Sequence, residues 1–213
     1  MAMSRGMAAQ AYDEIERLIV LQEIEPGSLV SESMLMAQTG LGRTPVREAV
    51  QQLARNQMLE IHPNKGALVP PLSVETQLRM LEVRRELEAL AVRLACHRAS
   101  QPERAEMTAM ADTLAAGGFE RLDYSETIKV THTLIAQGAH NPYLANALAP
   151  LQGLSRRFWI GHVRDEDVDE IAAGATRHTT LLRAIVAGDE DAAEAASREL
   201  NDYLVAFSRA AVL

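Results

Sequence analysis

The stretch from Gly40 to Val69, GLGRTPVREAVQQLARNQMLEIHPNKGALV, constrains this chain more than any other. Thr44 followed by Pro45 predicts a helix start, because a threonine hydroxyl caps free N–H groups and a proline at the first helical position forfeits no hydrogen bond. Val46, Ala49, Val50 and Leu53 then share one stripe of that helix, while Arg43, Arg47 and Gln51 recur every four residues on another side. One face packs, and the other presents long hydrogen-bond donors.

Beyond Asn56, Leu59 and Ile61 lead to the polar turn Pro63-Asn64-Lys65-Gly66 and then to Ala67–Val69, which predicts a hairpin with Gly66 supplying the φ freedom of the turn. Upstream, residues from about Ala8 to Glu23 carry Ala11, Ile15, Leu18 and Ile19 at helical spacing, and Pro26-Gly27 stops that helix. Leu29-Val30 predicts a short strand beside the hairpin. Ser31 caps a second helix that ends at Thr39-Gly40. The order is helix, turn, helix, hairpin. A helix fits the DNA major groove, where arginine forks read guanine edges.

The run from Pro26 to Val69, with the motif RTPVREA at Arg43–Ala49, resembles the winged-helix domain of the GntR family of bacterial transcription regulators. The resemblance implies that Arg43, Thr44 and Arg47 touch DNA from the recognition helix and that Lys65 and Gly66 touch it from the wing. Ser33 joins this set, at a position where some members have arginine. Gly42 stands where the family usually has serine or threonine. Both departures bear on phosphate contacts and operator preference.

Pro70-Pro71 marks a boundary, since proline stiffens a linker and does not continue a strand. The expected domains are 1–70 and 71–213. From Ser73 onward there are only helical segments, broken at Pro102, Gly117-Gly118, Asn141-Pro142, Gly161 and Gly188, which predicts six or seven helices and a mostly α fold. The first of them carries Met80, Val83, Leu87, Leu90 and Leu94 as an apolar seam, and Asp189 is placed to cap the last. RRELEALAVRLA at Arg84–Ala95, HTLIAQGAHNPYL at His132–Leu144 and RHTTLLRAIVAGDEDAAEAA at Arg177–Ala196 resemble the helical FCD effector domain behind many GntR winged helices. That resemblance implies a homodimer whose bundle holds a small-molecule or metal-linked pocket.

His132 lies in the series Ile128, His132, Ile135, Ala139, and His178 in the series Ile171, Ala175, His178, Leu182, Ile185. Both imidazoles therefore face inward. They are either satisfied core histidines or partners sharing a metal, a carboxylate ligand or a water. In metal-binding FCD domains an aspartate precedes the first histidine by four residues and a third histidine lies in the last helix. Those positions here are Ile128 and Leu200, and two histidines alone rarely hold a zinc-like ion. His162, Glu199 and Asn201 are the candidates to compensate. Arg84 stands one turn before Glu88, either to bind a ligand carboxylate or to form a solvated ion pair. Tyr124, Phe158 and Trp159 are expected in the core, and His62, His97 and His140 at solvated turns or helix ends. The acidic run DEDVDE reads as charge at a helix N-terminus.

The 213 residues suffice for two modest cores, and a hydrophobic share of 47% with 23% charged residues is ordinary for a globular chain. The N-terminus lacks an apolar secretion core, and no apolar run approaches the ~18 residues of a membrane span, so the expected location is the cytoplasm. The single cysteine, Cys96, excludes an internal disulfide. The net charge of −8 is unevenly spread: −2 over residues 1–72, −6 over 73–213, but +2 over 43–66. Screening over ~8 to 10 Å makes the local value the one that a phosphate feels. No phosphate-binding glycine loop and no nucleophile with a matched base is present. The sequence reads as a regulator, a repressor on double-stranded operator DNA that a small acidic metabolite releases. Two rivals remain open: a helical metal-dependent or acid-base enzyme using His132 and His178, and a protein-binding winged helix that never meets DNA.

Overall fold

In the computed structural model, which describes residues 6–211, the chain divides into two compact units between Leu72 and Ser73. The N-terminal unit runs α1 (Met7–Val20), β1 (Leu29–Val30), α2 (Glu32–Thr39), α3 (Arg43–Arg55), β2 (Glu60–His62) and β3 (Gly66–Leu68). The three strands form an antiparallel sheet in the order β1-β3-β2, with Val30 opposite Ala67 and His62 opposite Gly66. The predicted stripe of α3 is buried in full, and α3 packs on α1, where Ala11, Ile15 and Ile19 are buried.

Two local details differ from expectation. Helix α3 starts at Arg43 with Gly42 in the cap position and no side-chain cap, so Thr44 and Pro45 lie inside the first turn. The first four N–H groups of a helix have no intrahelical partner, so Pro45 costs nothing there either. Helix α1 ends at Val20, well before Pro26, because Gln22 turns to φ +62° and Ile24 N–H reaches back to the Leu18 carbonyl. Ser31 does cap α2, accepting from the Met34 N–H at 3.2 Å.

Gly66 combines φ +101° with a close crossing: a Cβ there would lie 2.3 Å from the Val30 carbonyl oxygen. Both the turn and the β1–β3 pairing depend on the missing side chain.

The C-terminal unit contains α4 (Val74–Arg98), α5 (Gln101–Ala116), α6 (Arg121–Gly138), α7 (Pro142–Ile160), α8 (Val168–Ala187) and α9 (Glu190–Ala210). Helix starts are marked by Ser73, Asn141 and Asp189, each accepting a backbone N–H, and by the reciprocal Ser100–Glu103 box. Helix α4 is central and packs against α6, α7, α8 and α9. Arg104 ties the C-terminal ends of α4 and α8 together, donating to the carbonyls of Cys96, Ala99, Ile185 and Val186.

The apolar seam expected on α4 is displaced. Val83 is 54% exposed and Leu87, Leu90 and Leu94 are half-buried, whereas Met80, Leu81, Arg84, Glu88, Val92 and Ala95 point inward. Arg84 and Glu88 are opposite charges one turn apart, and each makes the other's burial tolerable.

The glycine crossing yields a stability prediction. Gly66→Ala is expected to destabilise the N-terminal unit by ~2 kcal/mol or more through strain at positive φ and the clash with Val30, measured as a lower denaturant midpoint.

Candidate functional site

On the N-terminal unit, the outer face of α3 carries Arg43, Thr44, Arg47 and Gln51, all exposed. Arg43 makes no hydrogen bond or ion pair among the described residues. The Arg47 side chain is 66% exposed, with Nε 3.9 Å from Glu32 on α2. At that distance and exposure the pair is a loose association in water, which leaves the guanidinium available. A groove between α2, α3 and the hairpin is lined by Glu32, Arg47, Gln51, Ile61 and Asn64. Lys65 is exposed at the hairpin tip, Gly66 sits at its base, and the Ser33 hydroxyl is exposed 2.9 Å from that of Ser31 at the start of α2. The hairpin and the two helix starts thus border one surface.

The C-terminal unit holds an open-sided cavity of about 40 Å³. It draws Arg84 from α4, Tyr124, Ser125, Ile128 and His132 from α6, Ser155, Arg156 and Trp159 from α7, Gly174 and His178 from α8, and Leu200, Tyr203 and Leu204 from α9. The expected trio of Arg84, His132 and His178 therefore meets in one place, and the imidazole centroids are 5.6 Å apart. The solvated reading of Arg84 does not hold, because its side chain is 2% exposed. Its Nε donates to Glu88 Oε1 at 2.9 Å, Nη2 lies 2.8 Å from the same oxygen in the ion pair, and Nη2 is also 3.3 Å from His132 Nε2. Gln152 and Asn201 donate to the two oxygens of Glu88 at 3.1 and 2.8 Å. Burial alone would push the Glu88 carboxyl up, but the Arg84 charge and these hydrogen bonds hold it below its ordinary range.

Hydrogen-bond logic assigns both tautomers. Arginine only donates, so His132 Nε2 accepts and its proton sits on Nδ1, which has no partner among the described residues. His178 Nδ1 faces the Gly174 carbonyl at 2.8 Å and must donate, leaving Nε2 as a buried lone pair also without a partner. The Tyr124 hydroxyl, 3.3 Å from that same Nδ1, shares the donated proton and keeps its own hydrogen free. Burial pushes both imidazoles down, His132 further through Arg84, His178 and Arg156, and His178 to about 4. Both rings are neutral near pH 7.

The residues do not suit a metal ion. His132 Nε2 already faces the Arg84 cation, His178 offers a single lone pair, and Ile128 and Leu200 line the cavity as hydrocarbon. Among the described residues no three His, Cys, Asp or Glu side chains converge for an ion. Nor do the possible substitutes reach in. His162 donates to the Phe158 carbonyl and stacks on that ring, Glu199 is exposed near Arg177, and Asn201 turns to Glu88. His132 and His178, expected as candidate metal ligands, therefore do not make a metal site among the described residues.

The sequence reading also missed cavity residues. Tyr124 and Trp159, expected as plain core, are buried and line it. Tyr124, Ile128 and His132 recur every four residues, a spacing that signals one shared face. Nothing comparable marks Ser125, Ser155 or Arg156.

A winged helix followed by a helical unit that holds a cavity is an architecture of DNA-binding regulators, and similarity to known proteins gives the family. Residues 7–69 match the bacterial regulatory proteins of the gntR family, and residues 79–202 match the FCD domain. The chain belongs to the GntR family, in its FCD branch, and is a DNA-binding transcription regulator, not an enzyme. It is 29% identical over 191 residues to the probable D-xylose utilization operon transcriptional repressor of Paenarthrobacter nicotinovorans, covering 88% of this chain and 82% of that protein. It is 24% identical over 148 residues to the uncharacterized HTH-type regulator YdhC of Bacillus subtilis, covering 68% of this chain and 66% of that protein. The solved structure of E. coli McbR/YncC shares the fold, with a TM-score of 0.83 at 19% identity over 99% of this chain and 100% of that one. The enzyme reading of His132 and His178 accordingly falls.

The buried imidazoles make a pH prediction. Their folded pKa values lie below the ordinary 6.5, so the unfolded chain binds protons that the folded state refuses. The stability contributed by the neutral rings is full above pH 6.5 and declines as pH falls toward 4. Arg84 and Arg156 facing the rings steepen this loss, and Glu88 opposes it at His178. The melting temperature should drop between pH 6.5 and 5, and the His132→Gln/His178→Gln variant should flatten that slope.

Proposed function

We propose that this protein is a homodimeric repressor that grips operator DNA through α3 and the hairpin and releases it when a small organic acid enters the cavity. Arg84 carries the effector reading. Among the described residues its Nη1 makes no hydrogen bond, although the guanidinium is buried on the wall of a cavity. Two free N–H groups on a desolvated cation form a charge-assisted seat for a carboxylate. Arg156 adds a second guanidinium to the same wall.

On the DNA side, Arg43 and Arg47 supply the base-reading forks. Ser33, Thr44 and Lys65 supply phosphate contacts, and Gly66 sets the hairpin that carries Lys65. One recognition helix reads few base pairs, so useful specificity calls for two half-sites and a symmetric dimer. The name of the Paenarthrobacter relative favours repression over activation. Such a regulator works where its DNA is, in the cytoplasm, and no described helix is long and apolar enough to cross a membrane. Control follows if the acid binds the DNA-free form more tightly than the DNA-bound form.

Two measurements test this reading. In a binding-site selection, Arg47→Ala should relax preference at one or two base positions, at ~1–3 kcal/mol per lost bidentate contact. Lys65→Ala should weaken all sites evenly, and indistinguishable effects would refute the division of roles. For the effector, Arg84→Met/Glu88→Gln removes the guanidinium without stranding a buried carboxylate. In calorimetry it should lose ~10-fold or more in affinity for organic acids that the wild type binds. Equal affinity would remove Arg84 from the site.

A further inference from the structure

Among the described residues lining the groove between α2, α3 and the hairpin, Glu32 is the only acid. It stands in the first turn of α2, whose start is fixed by the Ser31 cap and whose packing is fixed by the buried Leu35. Its charge opposes DNA: residues 43–66 carry +2, and one facing carboxylate lowers that sum to +1. A surface selected only to hold duplex tightly would do better without it. A first-turn acid does complement the helix dipole, yet this carboxylate also faces a reading arginine.

The contact is made at one edge of the guanidinium. Glu32 Oε1 lies 3.9 Å from Nε of Arg47, and Arg47 has no other ion pair or hydrogen bond among the described residues. A guanine fork takes two N–H groups against O6 and N7, and the Nη edge, away from Nε, supplies them. The pair is loose in water, but DNA that displaces water from the groove strengthens it, because screening falls. The two possible partners of Arg47 then fare differently. A phosphate is negative and is repelled by Glu32, whereas a guanine edge is neutral and is not. Arg43, with no ion pair among the described residues, has no such companion.

Resting on the assignment of Arg47 as a base reader, we propose that Glu32 is a specificity-determining positioning residue. It holds Arg47 by the Nε edge so that the Nη edge meets a base, and its charge disfavours the rival contact with phosphate. The surface gives up part of its affinity for any duplex and gains discrimination at the position that Arg47 reads.

The test measures binding of the full-length protein to two duplexes at fixed salt: a site obtained by binding-site selection with the wild type, and a scrambled duplex of equal length and composition. The Arg47 position is the one whose base preference Arg47→Ala abolishes. Glu32→Gln should bind the scrambled duplex about 3-fold more tightly, as expected on removing one charge ~7 Å from a phosphate in water. It should also lose ~3-fold or more of the base preference at the Arg47 position while leaving that of Arg43 unchanged. Glu32→Asp keeps the charge but draws it back by one methylene, so it should retain wild-type affinity for the scrambled duplex and lose part of the base preference. In an Arg47→Ala background, Glu32→Gln should change no base preference. Melting curves establish that each variant is folded, and if Glu32→Gln is not, Glu32→Asp decides. Wild-type base preference in the folded variants, or an equal gain on both duplexes, overturns the proposal. So does an equal loss at the Arg43 position, or a loss that persists without Arg47. If Arg47→Ala itself alters no base position, the base-reader assignment fails first and this proposal with it.

Discussion

The helical unit is built around one desolvated ion pair, Arg84 with Glu88. Removing either partner would strand a charge in a bundle core, a loss of ~3–5 kcal/mol in comparable cases. The rest of the constellation completes the pair. Gln152 from α7 and Asn201 from α9 fill the remaining capacity of the carboxylate, and His132 from α6 accepts from the guanidinium. Three neighbouring helices are thereby bound to α4 by directed contacts, and the cavity lies against that network.

The same pair gives the cavity its chemistry. Glu88 engages Nε and Nη2 of Arg84, and Nη1 makes no hydrogen bond among the described residues. Because a cation already faces His132, that ring cannot serve a metal ion. Ile128 and Leu200, where metal-binding FCD domains are expected to place ligands, present only hydrocarbon to the cavity.

The two units use charge in opposite ways. In the N-terminal unit the arginines of α3 stay in water, where Arg43 is unpaired among the described residues and Arg47 touches Glu32 only at 3.9 Å. Hydrated cations of this kind exchange counterions for phosphates at low cost, which suits reversible DNA binding in a chain of net charge −8. In the helical unit the charges are buried, fixed and few, which suits selection of a small ligand by hydrogen-bond pattern.

By itself, the sequence determined what depends on local periodicity and backbone rules. The α3 stripe, the hairpin with its glycine, the Ser31 and Asp189 caps, the inward direction of His132 and His178 and the family motif RTPVREA are all local patterns, and all could be read along the chain. Tertiary structure decided which polar groups meet. That Arg84 and Glu88 turn inward while Val83 turns out, that Tyr124 holds His178 across Gly174, and that Arg156 shares a wall with Arg84 depend on how separate helices pack. Residues far apart in the chain carry no shared period, so only the packed bundle brings their donors and acceptors within hydrogen-bonding distance.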